Sequence, residues 1–327
     1  MIKKTMRTFG LLAMCLSLSL GYTSCSEDEV PKPPQPTDST GTAHQHEGEE
    51  KIAAVTLKLA AGHFHGVKFH QDNQIEGLKY LNAIQEIRLN KENGKWVVAE
   101  GSPKAFYVKA SGEDALGAYG LWITYLAEDG DTLNAEFVTN GASAQHQHFF
   151  SVSDAKPHGA NSQAEANDND TQSMLSYTYM DTNPWDKTLN TGAELVGNTD
   201  PVGLKGYFYF YKARKQFTLN IQLRHARTNK VINGAISPFY APSNALKANS
   251  TIEESFPVTI FTMSSLAEEA DWMADSDTPI SDLSDKERAI IQAIADAYGI
   301  SFEEAFKAFV YRIDNPGEHN LNSGLYF

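Results

Sequence analysis

The sequence predicts a mainly β protein, with two tandem antiparallel β-sandwich-like units followed by a short C-terminal α-helical pair. Three observations predict this class. From residue 52 onward, short segments rich in β-branched and aromatic residues alternate apolar with polar positions, and Gly, Asn and Asp separate them. Aromatic residues make up 11% of the 327 residues, enough for a packed core in each unit. After residue 284 the apolar positions recur at the three-to-four-residue spacing of a helix.

The first unit is expected to span residues 52–153. Its first strand places Leu57 and Leu59 on one face, and the pair Asn93-Gly94 predicts a hairpin turn. The strands expected in this unit are 52–59, 83–90, 95–99, 105–109, 120–126, 133–139 and 145–152. Short strands at this regular spacing are typical of an antiparallel sandwich.

A polar linker is expected at 154–172, and the second unit at 173–265. The strands expected in the second unit are 175–180, 203–211, 217–225 and 251–262. The basic turn at 212–215 would join the second and third of these strands as a hairpin. Because the first unit has a similar predicted hairpin, formed by 120–126 and 133–139, we interpret the two units as an internal repeat.

A helical hairpin is expected at 280–313, followed by a tail at 314–327. Each helix begins at a capping box, in which a serine and a glutamate three residues later cap backbone N–H groups. The two boxes are Ser284 with Glu287 and Ser301 with Glu304. Gly299 predicts the end of the first helix, since glycine readily adopts the left-handed conformation found there. We expect the apolar faces of this pair to pack against the sandwich or against a neighbouring protein.

Two pairs of histidines lie inside or at the end of apolar runs that indicate β-strands. His63 and His65 are two residues apart and would project to the same face, as would His146 and His148. Zinc and copper both accept imidazole nitrogens, so a site of three or four histidines needs no cysteine. We therefore predict that these four side chains converge on one zinc or copper ion, with haem iron as the alternative. Further candidate ligands are His70 and His225, with Glu136 as a carboxylate that supports a ligand.

A second interpretation needs no metal. Histidines on a half-exposed strand also occur as ordinary polar surface residues. The protein would then be a metal-free glycan-binding or adhesion protein whose exposed tryptophans stack on sugars. The candidates for this role are Trp96, Trp122, Trp185 and Trp272. The pH dependence separates the two functions, because histidine ligands must be deprotonated and metal binding should fade below about pH 6.

The N-terminal residues 1–24 have the pattern of a secretory signal peptide. Lys3, Lys4 and Arg7 precede a mainly apolar run at 9–20, which is too short for a comfortable transmembrane helix. Export to an oxidising compartment normally favours disulfides, yet the only cysteines are Cys15, inside the signal, and Cys25. An unpaired Cys25 is explained if it carries a lipid.

The residues around Cys25 resemble the lipobox of bacterial lipoproteins. Small residues precede the cysteine, with Tyr22 where leucine is commoner, and Ser-Glu-Asp-Glu follows it. This acidic segment resembles the export tag of surface-exposed lipoproteins of the Bacteroidota. The resemblance implies that Cys25 becomes the N-terminus, carries acyl chains such as palmitate, and anchors the protein at the outer face of the outer membrane. Lipoproteins of this type are found beside TonB-dependent receptors, so the resemblance also implies such a partner.

Residues 25–51 are expected to form a disordered tether. Prolines favour an extended chain, and there is almost nothing apolar to bury. His44 and His46 lie in this segment as a third histidine pair, either as weak scavenging ligands or as incidental polar residues. The tether would hold the folded units away from the membrane.

The net charge of −14 excludes nucleic acid as a partner, because phosphates require clustered Lys and Arg. The sequence also has no G-x-S-x-G or H-E-x-x-H motif, so it predicts a binding protein and not an enzyme. The expected function is binding of a transition metal or haem and transfer of this ligand to an outer-membrane transporter.

Overall fold

The structure is a computed structural model that describes residues 52–72, 83–111, 117–159 and 162–315. The predicted signal peptide, the lipidated Cys25, the tether and nearly all of the C-terminal tail lie outside these residues. Within them the prediction of a mainly β fold with a C-terminal helical pair is confirmed.

The strands, numbered in chain order, are β1 (Ala54–His65), β2 (Lys68–Gln71), β3 (Ile84–Glu92), β4 (Lys95–Val98), β5 (Ala105–Ala110), β6 (Ala118–Leu126), β7 (His146–Pro157), β8 (Leu175–Tyr179), β9 (Thr182–Asn183), β10 (Glu194–Leu195), β11 (Lys205–Phe210), β12 (Lys215–Ala226) and β13 (Ser250–Ser265). The helices are α1 (Asn134–Val138), α2 (Thr171–Met174), α3 (Asn244–Ala248), α4 (Leu266–Ala270), α5 (Asp285–Tyr298) and α6 (Phe302–Asp314). Each predicted strand overlaps one of these elements, with the exception of 133–139. β1 and β7 extend six and five residues beyond their predicted ends, and β2, β9 and β10 have no predicted counterpart.

The predicted strand at 133–139 is wrong, because this segment contains helix α1. Asn134 explains the difference. Its side-chain amide accepts a hydrogen bond from the Tyr125 backbone N–H (2.9 Å) and donates one to the Ile123 carbonyl (2.8 Å). The side chain thus occupies the backbone groups of β6 that a paired strand would use, while Phe137 on the helix fills the core.

Two sheets face each other across one hydrophobic core. The seven-stranded sheet has the order β4-β3-β1-β6-β11-β8 with β2 paired to β1, and the four-stranded sheet has the order β5-β13-β12-β7. In these two sheets of the described residues, β5 and β13 are the only neighbouring strands that run parallel. Leu57 and Ile123 of the larger sheet belong to the same buried cluster as Phe150, Leu219 and Ile260 of the smaller sheet.

The two predicted units share these sheets. β6 of the first unit pairs with β11 of the second, and β7 of the first pairs with β12 of the second. The predicted hairpin between β11 and β12 is not formed, since the turn after β11 carries the chain from one sheet to the other. Alternating polarity shows that each strand has one buried face, but many pairings are compatible with that pattern.

The predicted linker at 154–172 is part of the packed structure. It begins with the last residues of β7, and Asp168 within it is buried. The Asp168 carboxylate lies 2.9 Å from the ammonium groups of both Lys212 and Lys215. These ion pairs tie the segment to the residues between β11 and β12.

Both predicted capping boxes are present at the starts of α5 and α6, and Gly299 ends α5 with a φ of 64°. The helices pack on each other through Ile290, Ile294 and Phe309. His158, just after β7, donates a hydrogen bond to the Ala293 carbonyl of α5 (2.9 Å), which joins the pair to the sandwich. None of the helices described here is long and apolar enough to cross a membrane.

Candidate metal centres

The first group of candidate ligands lies on the hairpin formed by β1 and β2. Gly66 takes a φ of 65° in the two-residue turn, and the register pairs His63 directly with His70. His65 is two residues from His63 on the same strand. Side chains two apart on a strand and side chains directly opposite across a ladder share one face. The hairpin therefore brings together three histidines, which we call the hairpin triad (His63, His65 and His70).

Gly62 makes the close approach of the two strands feasible. A Cβ atom at this position would lie 2.2 Å from the His70 carbonyl oxygen, far inside van der Waals contact. On the opposite face of the hairpin, Phe64 packs against Phe69, whose buried ring joins a cluster with Met180. The triad is thus carried by a hairpin with a packed back face.

The ring nitrogens of the hairpin triad point toward one another. His63 Nε2 lies 3.2 Å from His65 Nε2 and 3.5 Å from His70 Nδ1. Around a tetrahedral zinc ion with Zn–N bonds of about 2.0–2.1 Å, neighbouring nitrogens are about 3.3 Å apart. The two distances from His63 Nε2 therefore match those between ligands of one ion, and one ligand atom from each of the three residues lies within 4.8 Å of the other two.

Asp72 determines which nitrogen of His63 is available. Its Oδ1 atom lies 3.2 Å from His63 Nδ1. A carboxylate only accepts, so Nδ1 carries the proton and Nε2 presents a lone pair toward the other two rings. Carboxylates in this position are common beside metal-ligating histidines. His70 is buried, His63 is half-buried and His65 is exposed, so the group is open to solvent on one side.

The second group lies in the four-stranded sheet and contains His146 on β7, His225 on β12 and Glu253 on β13. We call it the sheet group. His146 and His225 are directly paired across the ladder, and their ring centroids are 4.6 Å apart. His146 Nε2 lies 3.2 Å from Glu253 Oε2. One potential ligand atom from each residue lies within 4.8 Å of the other two.

A β-bulge places Glu253 in the sheet group. Leu223 of β12 pairs with Glu254, and the next residue, Arg224, pairs with Ile252, so Glu253 is the extra residue of β13. In a regular strand, Glu253 and Glu254 would point to opposite faces. The bulge instead lets both carboxylates be buried, because it shifts the side-chain alternation by one residue.

The tautomer of His146 is also determined by a neighbour. Its Nδ1 atom lies 2.8 Å from the Ala142 carbonyl oxygen, which can only accept, so Nδ1 is the donor. In neutral His146 the remaining nitrogen, Nε2, therefore presents its lone pair on the side of Glu253.

Glu136, the predicted supporting carboxylate, lies on helix α1. The next residue, Phe137, contacts the His146 ring edge-on, with the ring centroids 5.3 Å apart.

His148 does not join either group. It is fully buried, its Nδ1 donates to the Val202 carbonyl (2.9 Å), and its Nε2 accepts from the Tyr125 hydroxyl (2.8 Å). Burial raises the pKa of Tyr125 well above its usual value, so this hydroxyl remains a donor. His148 is therefore a hydrogen-bonded core residue and not a ligand.

The predicted site of four histidines is thus replaced by two separate groups. The strands β1 and β2 belong to one sheet, and β7, β12 and β13 belong to the other. His63 and His65 meet His70, whereas His146 meets His225 and Glu253. Sequence reasoning named five of the six grouped residues but assigned them to one ion, and it missed Glu253 and Asp72.

His148 should make the stability of the metal-free protein depend on pH. Burial lowers the pKa of His148 to about 4, below the value near 6.5 expected in the unfolded chain. As the pH falls from 6.5 to 4, the unfolded chain takes up this proton first, so about 3 kcal/mol of stability is lost. Above pH 6.5 the residue is neutral in both states and has no such effect.

Urea unfolding of the metal-free protein at several pH values measures this effect, with His148→Gln as the comparison because Gln can both donate and accept. Between pH 6 and 4.5, the free energy of unfolding of the parent protein should fall more steeply than that of the variant, by about 1 kcal/mol per pH unit. Equal slopes would show that His148 is not held neutral by the core.

The four tryptophans divide into three packed residues and one that lines a cavity. Trp96 donates to Glu254, Trp122 lies beneath the Lys205 ammonium group, and Trp272 packs on Phe309. Trp185 lines a cavity of about 470 Å³ together with other residues that include Asn183 and Asp186. Trp185 therefore has a ligand-sized space beside it.

Comparison with known proteins gave no further assignment. The chain matches no family model, and neither curated proteins nor solved structures gave a match. The class that the fold and the sites define is a mainly β protein with two groups of candidate metal ligands.

Proposed function

We propose that this protein binds a transition-metal ion, zinc or copper, at the hairpin triad. The observation that carries the proposal is the spacing of three imidazole nitrogens, 3.2 and 3.5 Å around His63 Nε2, together with the hydrogen bond from His63 Nδ1 to Asp72. Imidazole is a preferred ligand of both metals. The net charge of −14 adds a long-range attraction for cations.

The openness of the hairpin triad supports capture and release more than a permanent structural role. Structural zinc sites are closed by four protein ligands, whereas three leave a position for water or for a ligand of the next carrier. His65 is exposed and lies at the end of β1, where an incoming group can reach the ion. We therefore propose a binding protein, and not an enzyme, that holds the ion for transfer.

The same proposal includes the location and the partner. Lipidation at Cys25 would anchor the chain in the outer membrane, exposed at the cell surface, with a TonB-dependent receptor as the acceptor of the ion. This part is supported by the resemblance of the N-terminal residues to lipoproteins and not by the hairpin triad. The two parts are independent, so the metal site can be tested without the anchor.

A bare ion suits the hairpin triad better than haem does. Haem iron takes its protein ligands along the axis of a flat macrocycle, which needs an extended slot on at least one side. The three rings here meet edge-on or tilted with centroids 4.9–5.3 Å apart, too close for a macrocycle to lie between them. Glycan binding is the second candidate function, and it is supported by the cavity beside Trp185.

Titration of the metal-stripped full chain with Zn²⁺, Cu²⁺ and haem tests the proposal. The parent for this titration carries Cys15→Ser, Cys25→Ser, His44→Ala and His46→Ala, so that the N-terminal segment offers no cysteine or histidine ligand. The comparison chain has His63, His65 and His70 all changed to Ala, and Val67→Ala at the exposed turn of the same hairpin is the control.

The parent and the Val67→Ala chain should bind one more equivalent of Zn²⁺ or Cu²⁺ than the triple variant. This equivalent should exchange quickly with a chelator, because the site is open to solvent. Equal binding by the parent and the triple variant would contradict the proposal, and saturable haem binding lost in the triple variant would replace the ion by haem.

A further inference from the structure

We infer that the sheet group of His146, His225 and Glu253 is a second metal site, which holds a divalent first-row transition ion such as Zn²⁺ or Fe²⁺. These residues are not shared with the hairpin triad, and the two groups lie in different sheets. The inference therefore does not depend on the proposed function. Either site can fail while the other stands.

The electrostatics of the sheet group favour a cation. In neutral His146, whose proton the Ala142 carbonyl holds on Nδ1, the lone pair on Nε2 lies 3.2 Å from a carboxylate oxygen of Glu253. Two acceptors repel at that distance unless a positive charge lies between or beside them. A metal ion provides this charge, and the His225 ring lies next to the same two atoms.

A protonated His146 paired with Glu253 is the alternative source of positive charge. It would satisfy the same two atoms but would not make use of the third ligand atom that converges there. In the structure, His225 is paired with His146 across the ladder and offers a nitrogen within 4.8 Å of both partners. Three converging ligand atoms are what an ion needs and more than a single ion pair requires.

The ligand set indicates the kind of ion. Two histidines and one carboxylate form the triad that binds non-haem Fe²⁺, and the same donors bind zinc with one position open. The sheet group has one carboxylate ligand, whereas the ligands of the hairpin triad are all imidazoles. Compared with the hairpin triad, the sheet group should therefore bind Fe²⁺ and Zn²⁺ relatively better and Cu²⁺ relatively less well.

Burial should make the ion at the sheet group slow to exchange. His146 is 1% exposed and Glu253 is 8% exposed, so only His225 reaches solvent appreciably. The ion would also join β7, β12 and β13, and a ligand that binds only the folded state raises its stability. Slow exchange and a raised melting temperature distinguish this site from the hairpin triad.

The test uses the parent chain of the titration with the hairpin triad removed by His63→Ala, His65→Ala and His70→Ala. This triad-free chain should still bind one Zn²⁺, or one Fe²⁺ without oxygen, release it slowly to a chelator, and melt at a higher temperature with the ion than without it. Glu253→Gln or His225→Ala in this chain should weaken binding by at least about 100-fold. Ser255→Ala, at an exposed position of β13 that pairs with Gln222 and not with a proposed ligand, is the control and should bind as the triad-free chain does.

Folding of the variants is checked by their unfolding curves without metal. Glu253→Gln conserves the size of the side chain, and His225→Ala changes a half-buried ring, so at least one of the two should retain a cooperative transition. No binding by the folded triad-free chain would overturn the inference. Binding that is unchanged in both Glu253→Gln and His225→Ala would also overturn it, and the His146–Glu253 contact would then be an ion pair only.

Discussion

Replacing His63 by Ala should weaken zinc binding at the hairpin triad by at least about 100-fold. His63 is the common neighbour of the other two rings, since its Nε2 lies 3.2 Å from His65 Nε2 and 3.5 Å from His70 Nδ1. Without it, two histidines remain, and two ligands hold zinc weakly. Asp72→Ala should have a smaller effect, about 10-fold, because it removes only the acceptor that orients His63.

These affinities are measured by competition with a chelating dye in the parent chain with Glu253→Gln, so that the sheet group contributes little. Val67→Ala serves as the matched control, because it changes the same turn but no ligand. The order of affinities should be control, then Asp72→Ala, then His63→Ala. A His63→Ala chain that binds zinc as tightly as the control would show that the ion is held elsewhere.

Replacing Lys230 by Met should lower the free energy of unfolding by about 3 kcal/mol. Lys230 is fully buried, and its ammonium group lies within hydrogen-bonding distance of the carbonyl oxygens of Ser143, His146 and Pro201 (2.6–2.9 Å). It also lies 3.0 Å from Asp200 Oδ1. Met has a similar length but no donor, so it leaves these acceptors without their common partner.

Lys230 also lies close to the sheet group, because it donates to the His146 carbonyl and to the carbonyl of Ser143, which adjoins Ala142. Urea unfolding at pH 7 measures the loss, with Lys247→Met on the exposed face of α3 as the control. The control should stay within about 0.5 kcal/mol of the parent. An equally small change for Lys230→Met would mean that water replaces the ammonium group at little cost.

Much of the fold could be predicted from local patterns. The alternation of apolar residues in β1 and the capping boxes of α5 and α6 depend on neighbours within one element, and they are confirmed. The pairing of strands could not be predicted in the same way. β11 and β12 are adjacent in sequence and strongly β-prone, yet they lie in different sheets, because pairing depends on contacts between distant segments.

The hairpin triad could have been predicted from the sequence. A two-residue turn at Gly66-Val67 places His65 opposite Lys68, and counting back along both strands places His63 opposite His70. The spacing of His63 and His65 within one strand does not by itself show that their partner is His70. A hairpin interpretation of the same nine residues, 62–70, would have joined the three histidines.

The sheet group needed information that the sequence does not contain. Glu253 reaches it through a bulge in β13, and a bulge shifts the face of a side chain without a distinctive residue pattern. His148 shows the opposite problem. Its spacing from His146 suggested a shared ligand face, but Tyr125 and Val202 engage both of its ring nitrogens inside the core.

Anomalous diffraction from crystals of the zinc-loaded protein tests the central claim most directly, because it locates the ion without mutation. We expect a zinc peak about 2.0–2.1 Å from His63 Nε2, His65 Nε2 and His70 Nδ1. A protein that is loaded with zinc in solution but shows no peak at the hairpin triad would contradict the proposed function.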